Sequence, residues 1–214
     1  MQLNQYIEHT ILKADTTVKD IEKICKEALE HEFACVCVPP YFVKSASKYL
    51  NKSKVGIVTV VGFPLGYSST PAKVEEARKA LDEGASEIDM VINIAALKNE
   101  DYNYVVNDIQ SLSTIVQLKG GQLKVILETA LLTKAQKIKA CEICSKIGVD
   151  YVKTSTGFSK TGATVEDIQL MKEHISPKVK IKASGGIKTK AFALQLIEAG
   201  ASRLGTSSGV DLVK

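Results

Sequence analysis

Short runs rich in valine and isoleucine recur along this chain, separated by segments with helical periodicity. The runs occupy residues 33–38, 55–61, 87–93, 124–128, 151–154, 179–183 and 203–206. Continuous hydrophobicity, as opposed to strict alternation, marks strands covered on both faces, the condition of a parallel sheet wrapped by helices. The intervening segments carry start and stop signals. Thr17-Val-Lys-Asp20 and Thr133-Lys-Ala-Gln136 read as capping boxes, and Thr164 and Thr189 as further N-caps. Val18, Ile21, Ile24 and Ala28 recur on one helical face. Val74, Ala77 and Leu81 mark a second after Pro71, and Leu194 and Ile197 belong to the last long helix. Gly84, Gly148 and Gly200 stand where helices end.

A chain of such units closes into a barrel or stays an open, doubly wound sheet. No G-x-G-x-x-G motif follows the first strand, which disfavours the dinucleotide-binding open sheet. The expectation is an α/β fold, a closed (β/α)8 barrel, with all 214 residues forming one domain. Seven strands are evident and a barrel needs eight. The eighth is expected as a short segment between Ile187 and Gly200.

The net charge of +4 is scattered, without a run of Lys or Arg, so no nucleic-acid partner is expected. No apolar stretch approaches membrane-spanning length, and residues 1–6 do not resemble a targeting segment. Five cysteines without such a segment suggest reduced thiols in a cytoplasmic protein. Cys141-x-x-Cys144 has no second Cys or His pair nearby, and His9, His31 and His174 show no metal-ligand spacing, so no metal is expected; no cofactor is expected either. A homodimer or higher homo-oligomer is compatible with a small barrel, but no apolar patch in the sequence identifies one.

Charges inside apolar strands carry the functional information. Asp89, Lys153 and Lys182 interrupt three of the runs, and Glu128 ends a fourth. Side chains near the C-terminal ends of barrel strands converge on one site, where Lys153 and Lys182, from consecutive strands, would be neighbours. A lysine with a pKa near 10.4 is neutral in only about one molecule in 2,500 at pH 7. Burial and a second cation lower that pKa, and a drop of about three units leaves roughly a quarter of the amine free to attack a carbonyl. Asp89 could move protons through a water. Lys180 shares strand parity with Lys182 and is expected to point to solvent at the other end. Glu128 reads equally as a reactant or as a structural partner of a lysine. The glycine-rich turns Ser184-Gly-Gly-Ile187 and Gly205-Thr-Ser-Ser-Gly209 could cradle a phosphate with backbone N–H groups, and Phe63-Pro-Leu-Gly66 could form part of the wall. These features leave three readings open: an imine-forming enzyme, a phosphosugar isomerase, and a non-catalytic barrel that binds phosphorylated ligands.

A further set of stretches resembles the deoxyribose-phosphate aldolase family. They are Glu8-His-Thr-Ile-Leu-Lys13, Val61-Gly-Phe-Pro-Leu-Gly66, the segment 84–93, Val125-Ile-Leu-Glu-Thr-Ala130, Val152-Lys-Thr-Ser-Thr-Gly-Phe158, Lys182-Ala-Ser-Gly-Gly-Ile187 and Arg203-Leu-Gly-Thr-Ser207. The resemblance implies a TIM barrel and a class I (Schiff-base) aldolase. It implies cleavage of 2-deoxy-D-ribose 5-phosphate to D-glyceraldehyde 3-phosphate and acetaldehyde in deoxynucleoside breakdown. By this resemblance Lys153 is the Schiff-base lysine, Lys182 tunes its pKa, and Asp89 is the acid/base. Gly157, Gly185, Gly186, Gly205, Ser207 and Ser208 match phosphate contacts, and Thr10 stands near a substrate hydroxyl. Three departures are visible. Glu8 stands where the family commonly has Asp, and Cys37-Val-Pro-Pro40 lacks a frequent Asn. Nor is there a C-terminal Tyr tail, which implies that Tyr-assisted proton transfer is absent.

Overall fold

All seven evident strands form, and the eighth lies at the start of the chain. The computed structural model describes residues 2–214. Its strands are β1 (Ile7–Thr10), β2 (Cys35–Val38), β3 (Gly56–Val61), β4 (Glu87–Val91), β5 (Gln122–Ile126), β6 (Tyr151–Lys153), β7 (Lys180–Ser184) and β8 (Arg203–Thr206). They close in sequence order, and β1 completes the ring by pairing in parallel with both β2 and β8. This is a TIM barrel. The segment expected to hold the last strand, between Ile187 and Gly200, is instead largely a helix, Lys190–Ala199. The physical reason is plain in Ile7-Glu-His-Thr10. Two of its four residues point inward and are polar for the sake of the interior, so no apolar run announces the strand.

The helices follow the strands: α1 (Val18–Glu30), α2 (Val43–Tyr49), α3 (Thr70–Asp82), α4 (Ile94–Lys98), α5 (Tyr102–Leu118), α6 (Lys134–Ile147), α7 (Val165–His174), α8 (Lys190–Ala199) and α9 (Gly209–Val213). Both capping boxes form, at Thr17 with Asp20 and at Thr133 with Gln136, and the hydroxyls of Thr164 and Thr189 accept N–H groups three residues on. Each occupies backbone donors that the helix start leaves free. Ile21, Ile24 and Ala28 are buried as their spacing implies, but Val18, in the first turn of α1, and Leu194, on α8, are exposed. No helix is long and apolar enough to cross a membrane among the described residues.

Outward-facing strand residues, among them Val36, Val61, Ile88, Met90, Val125, Val152, Ile181 and Leu204, pack with the helices into one large core. Lys73 on α3 and Asp108 on α5 form a fully buried ion pair at 2.6 Å behind β4, where Lys73 also donates to the Val91 carbonyl. The barrel interior is built differently and is split in two. Cys35 and Cys37 of β2 and Val58 and Val60 of β3 make an apolar sector, extended by Leu12 and Phe63. The remaining strands fill the other sector with charge: Glu8, Glu87, Asp89, Lys124, Lys153, Lys182 and, partly exposed, Arg203.

Candidate active site

Strand register brings the charged residues together. Lys153 pairs with Lys182 across β6 and β7, and Asp89 with Lys124 across β4 and β5. Because side chains alternate, residues of one parity share the interior. Asp89 lies at the centre. Its Oδ2 accepts from the Nζ of Lys153 and of Lys182, both at 2.7 Å, and its Oδ1 accepts from the Nζ of Lys124 at 3.0 Å. Lys124 also meets Glu87 at 2.5 Å and Glu8 at 3.5 Å, while Lys182 donates to Glu8. Arg203 reaches Glu8 and Glu87, each at 3.7 Å, from the N-terminal end of the barrel. The Tyr151 ring lies beneath, 5.8 Å from the Lys124 ammonium and 5.9 Å from the Arg203 guanidinium.

Four cations thus face three carboxylates, with Arg203 partly exposed and the rest almost wholly buried. Buried charge is tolerated only when it is balanced and hydrogen-bonded. Loss of one proton from one lysine would make the set neutral, and the surroundings of the lysines differ in how they favour that loss. Burial depresses the pKa of Lys153, the Lys182 charge depresses it further, and Asp89 opposes them; the net shift is downward. Burial acts the same way on Lys182 and Lys124, but there the carboxylates prevail. Asp89 and Glu8 hold Lys182 above the ordinary lysine range, and Asp89, Glu8 and Glu87 hold Lys124 well above it. Burial would raise the Asp89 pKa, yet Lys124, Lys153 and Lys182 together keep its carboxyl well below the usual range.

A cavity of about 630 Å³ opens at the C-terminal mouth of the barrel. Lys153, the last residue of β6, lines it, whereas Asp89 and Lys182 lie beneath, in the middle of their strands. The expectation of three strand-end residues therefore holds for Lys153 alone. Thr10, Gly157, Gly185, Gly186, Gly205 and Ser207 line the same cavity, together with Lys188. Gly185 and Gly186 sit at positive φ, 86° and 76°, a backbone that favours glycine. Gly205 has a second reason to lack a side chain, since a Cβ there would come within 3.1 Å of the Lys182 side chain. Ser208 is not part of the lining; it directly precedes α9, and its N–H donates to the Thr206 hydroxyl at 2.9 Å.

Lys180 is exposed at the start of β7, with its ammonium 5.6 Å from the Tyr151 ring. Glu128 lies beyond the end of β5, and its carboxylate accepts from the Thr156 N–H and hydroxyl, not from a lysine. His9 is buried, with its Nε2 2.7 Å from the Glu27 carboxylate. Cys141 and Cys144 are free, buried thiols on α6. Phe63, from the loop after β3, meets Phe158 edge-on with ring centroids 5.2 Å apart, and Phe158 lines the cavity. Lys124, Glu87 and Arg203 belong to the charged cluster, yet the sequence pattern does not single them out. Each sits at the first or middle position of its strand, where a charge reads as a solvated end. Parity with Asp89 on the neighbouring strand was the available signal for Lys124.

Residues 3–214 match the family described as DeoC/LacD family aldolase. A deoxyribose-phosphate aldolase of Thermococcus gammatolerans is 53% identical, covering 100% of this chain and 96% of that one. A protein of the same name from Finegoldia magna is 53% identical over the full length of both. Among solved structures, a putative deoxyribose-phosphate aldolase from Coccidioides immitis superposes with a TM-score of 0.96 at 42% identity, covering 99% of this chain and 84% of that chain. The deoxyribose phosphate aldolase from Aeropyrum pernix, described as having a unique tetrameric structure, does so with a TM-score of 0.92 at 29% identity, covering 99% and 89%.

Proposed function

The chain belongs to the DeoC/LacD family of aldolases, and from that premise we propose that it cleaves 2-deoxy-D-ribose 5-phosphate reversibly to D-glyceraldehyde 3-phosphate and acetaldehyde through an imine on Lys153. One observation carries the reading. Of the four interior cations, Lys153 is the one that opens onto the cavity and whose pKa burial and Lys182 drive down.

The chemistry follows from the geometry. The neutral Lys153 amine adds to the C1 aldehyde of the open-chain sugar, and loss of water leaves an iminium. A base removes the C3 hydroxyl proton and the C2–C3 bond breaks. Its electrons pass into the iminium to form an enamine, and glyceraldehyde 3-phosphate departs. Protonation at C2 and hydrolysis then release acetaldehyde and restore the amine. Asp89, bonded through one oxygen to both Lys153 and Lys182, is suited to pass protons between them. Lys182, held protonated by its carboxylates, supplies the positive charge that keeps Lys153 reactive. Gly157, Gly185, Gly186, Gly205 and Ser207 make a backbone-rich wall suited to the phosphate, and Thr10 lines the same cavity, suited to a sugar hydroxyl. No step calls on a cofactor.

Residues 1–214 act in this reading as one catalytic domain with a phosphorylated sugar as partner. Five free cysteines favour a reducing, cytoplasmic setting, where the reaction would serve deoxynucleoside breakdown. The tetramer described for the Aeropyrum pernix relative, and the exposure of Tyr41, Leu65 and Tyr67 here, favour a homo-oligomer.

The test is to incubate the protein with deoxyribose 5-phosphate, reduce with borohydride and locate the adduct by peptide mass spectrometry. The expected adduct is on Lys153 and is absent in Lys153→Leu. A folded protein that turns over the sugar without an adduct, or with one on another lysine, would overturn the assignment.

A further inference from the structure

Glu128 is a buried carboxylate that the chemistry above does not use, and three features of it call for an explanation. It is only 2% exposed. Its backbone is left-handed, with φ 56° and ψ 60°, which a residue bearing a side chain adopts at a cost. And its carboxylate is spent entirely on one residue of the next loop: its two oxygens lie 3.3 and 3.4 Å from the Thr156 nitrogen, and Oε2 also accepts from the Thr156 hydroxyl. That hydroxyl oxygen in turn accepts from the Phe158 N–H at 3.1 Å.

The backbone on either side of Glu128 is stitched to the same loop. The Leu127 N–H donates to the Lys153 carbonyl at 2.9 Å, and the Thr129 N–H to the Thr154 carbonyl at 3.0 Å. These bonds continue the β5–β6 ladder past the strand ends and hold Glu128 beside the segment that carries Thr156. Thr156, Gly157 and Phe158 line the cavity, and Gly157, at φ 88°, adjoins Gly185, whose own added Cβ would lie 3.7 Å from the Gly157 Cα. The turn is thus part of the glycine wall, yet at Gly157 itself it has no side chain to hold its shape. Hydrogen bonds to an ionised acceptor are roughly twice as strong as neutral ones. A carboxylate that takes both donors of Thr156 supplies the missing rigidity.

We propose that Glu128 is a positioning residue: through Thr156 it fixes the turn at Gly157 against which the substrate's phosphate rests. This rests on the aldolase reading above. Glu128 does not touch the reacting atoms, and its influence is confined to the phosphate end of the cavity.

A pair of substrates separates this role from a merely structural one. The kcat/KM for 2-deoxyribose 5-phosphate and for unphosphorylated 2-deoxyribose would be measured in the wild type, Glu128→Leu, Glu128→Gln and Thr156→Val. A loosened turn misplaces the phosphate, and errors of about 1 Å in positioning cost up to roughly 100-fold in rate. Glu128→Leu is therefore expected to lose between about 10- and 100-fold on the phosphorylated sugar while leaving the unphosphorylated sugar nearly unchanged. Glu128→Gln, which keeps an acceptor oxygen, should recover most of that loss, and Thr156→Val should reproduce it. An equal fall on both sugars, or no fall on the phosphorylated one, would overturn the proposal. If Glu128→Leu does not fold, Thr156→Val decides by the same criteria. A wild type that turns over neither sugar would overturn the aldolase reading and this one with it, whereas an active wild type with indifferent variants would overturn this one alone.

Discussion

Replacing Lys182 with methionine should move the pH dependence of the reaction without touching the nucleophile. Lys153 and Lys182 each donate to the same Asp89 oxygen at 2.7 Å, so their nitrogens lie at most twice that, 5.4 Å, apart. Two unit charges at that separation repel by about 3 kcal/mol at an effective dielectric of ~20. At 1.36 kcal/mol per unit, removal of the Lys182 charge raises the Lys153 pKa by about two units. The sign is fixed by which form reacts. Imine formation needs neutral Lys153, so a higher pKa moves the acidic limb of the kcat/KM profile toward higher pH. Near neutrality the rate should fall roughly 100-fold, and below the new pKa it should regain about tenfold per pH unit. Asp89 reinforces the shift, because an oxygen it now divides between two ammonium groups is left to Lys153. Stopped assays of deoxyribose 5-phosphate cleavage across pH, with the rate of borohydride trapping in parallel, measure both consequences. Circular dichroism first establishes that the variant folds, since Glu8 loses its nearest cation but keeps Lys124 at 3.5 Å and Arg203 at 3.7 Å. A rate loss with an unmoved acidic limb would refute the electrostatic argument and assign Lys182 to proton transfer instead.

The same cluster makes stability depend on acid. Asp89 and Glu87 are held below their ordinary values of 3.8 and 4.5, so the unfolded chain binds their protons first as pH falls. Their contribution is fully present above about pH 5 and is lost progressively below it, and urea midpoints in that range should fall less steeply in a folded Asp89→Asn variant than in the wild type; parallel curves would exclude Asp89 as a source of the slope. Away from the barrel interior, Asp108→Ala strands the Lys73 ammonium in the core. It should cost about 3–5 kcal/mol in urea unfolding, with the double variant Lys73→Met/Asp108→Leu recovering much of it. A loss below about 1 kcal/mol would mean that water reaches Lys73.

The sequence alone determined the architecture wherever physics demands an apolar run. Seven strands were legible because their outward faces and much of their inward faces are buried against aliphatic neighbours, and the helices were legible because caps must satisfy free backbone N–H groups. It also exposed Asp89, Lys153 and Lys182, since a charge inside an apolar run is costly and needs a reason. The strand at Ile7–Thr10 was not legible, because the side chains it sends inward, Glu8 and Thr10, serve the interior's chemistry and erase the pattern that identifies a strand. Only closure of the barrel, with β1 between β8 and β2, decided where Glu8 goes and gave Lys182 its second carboxylate. The tertiary structure likewise decided which lysine has its pKa lowered. Lys153 and Lys182 are alike in sequence, both lysines in short apolar strands. They differ in how many carboxylates register places around them, two for Lys182 and one for Lys153, and in which of them faces the cavity. A pKa is a property of surroundings in three dimensions, and strand register in a closed barrel is what assembles those surroundings.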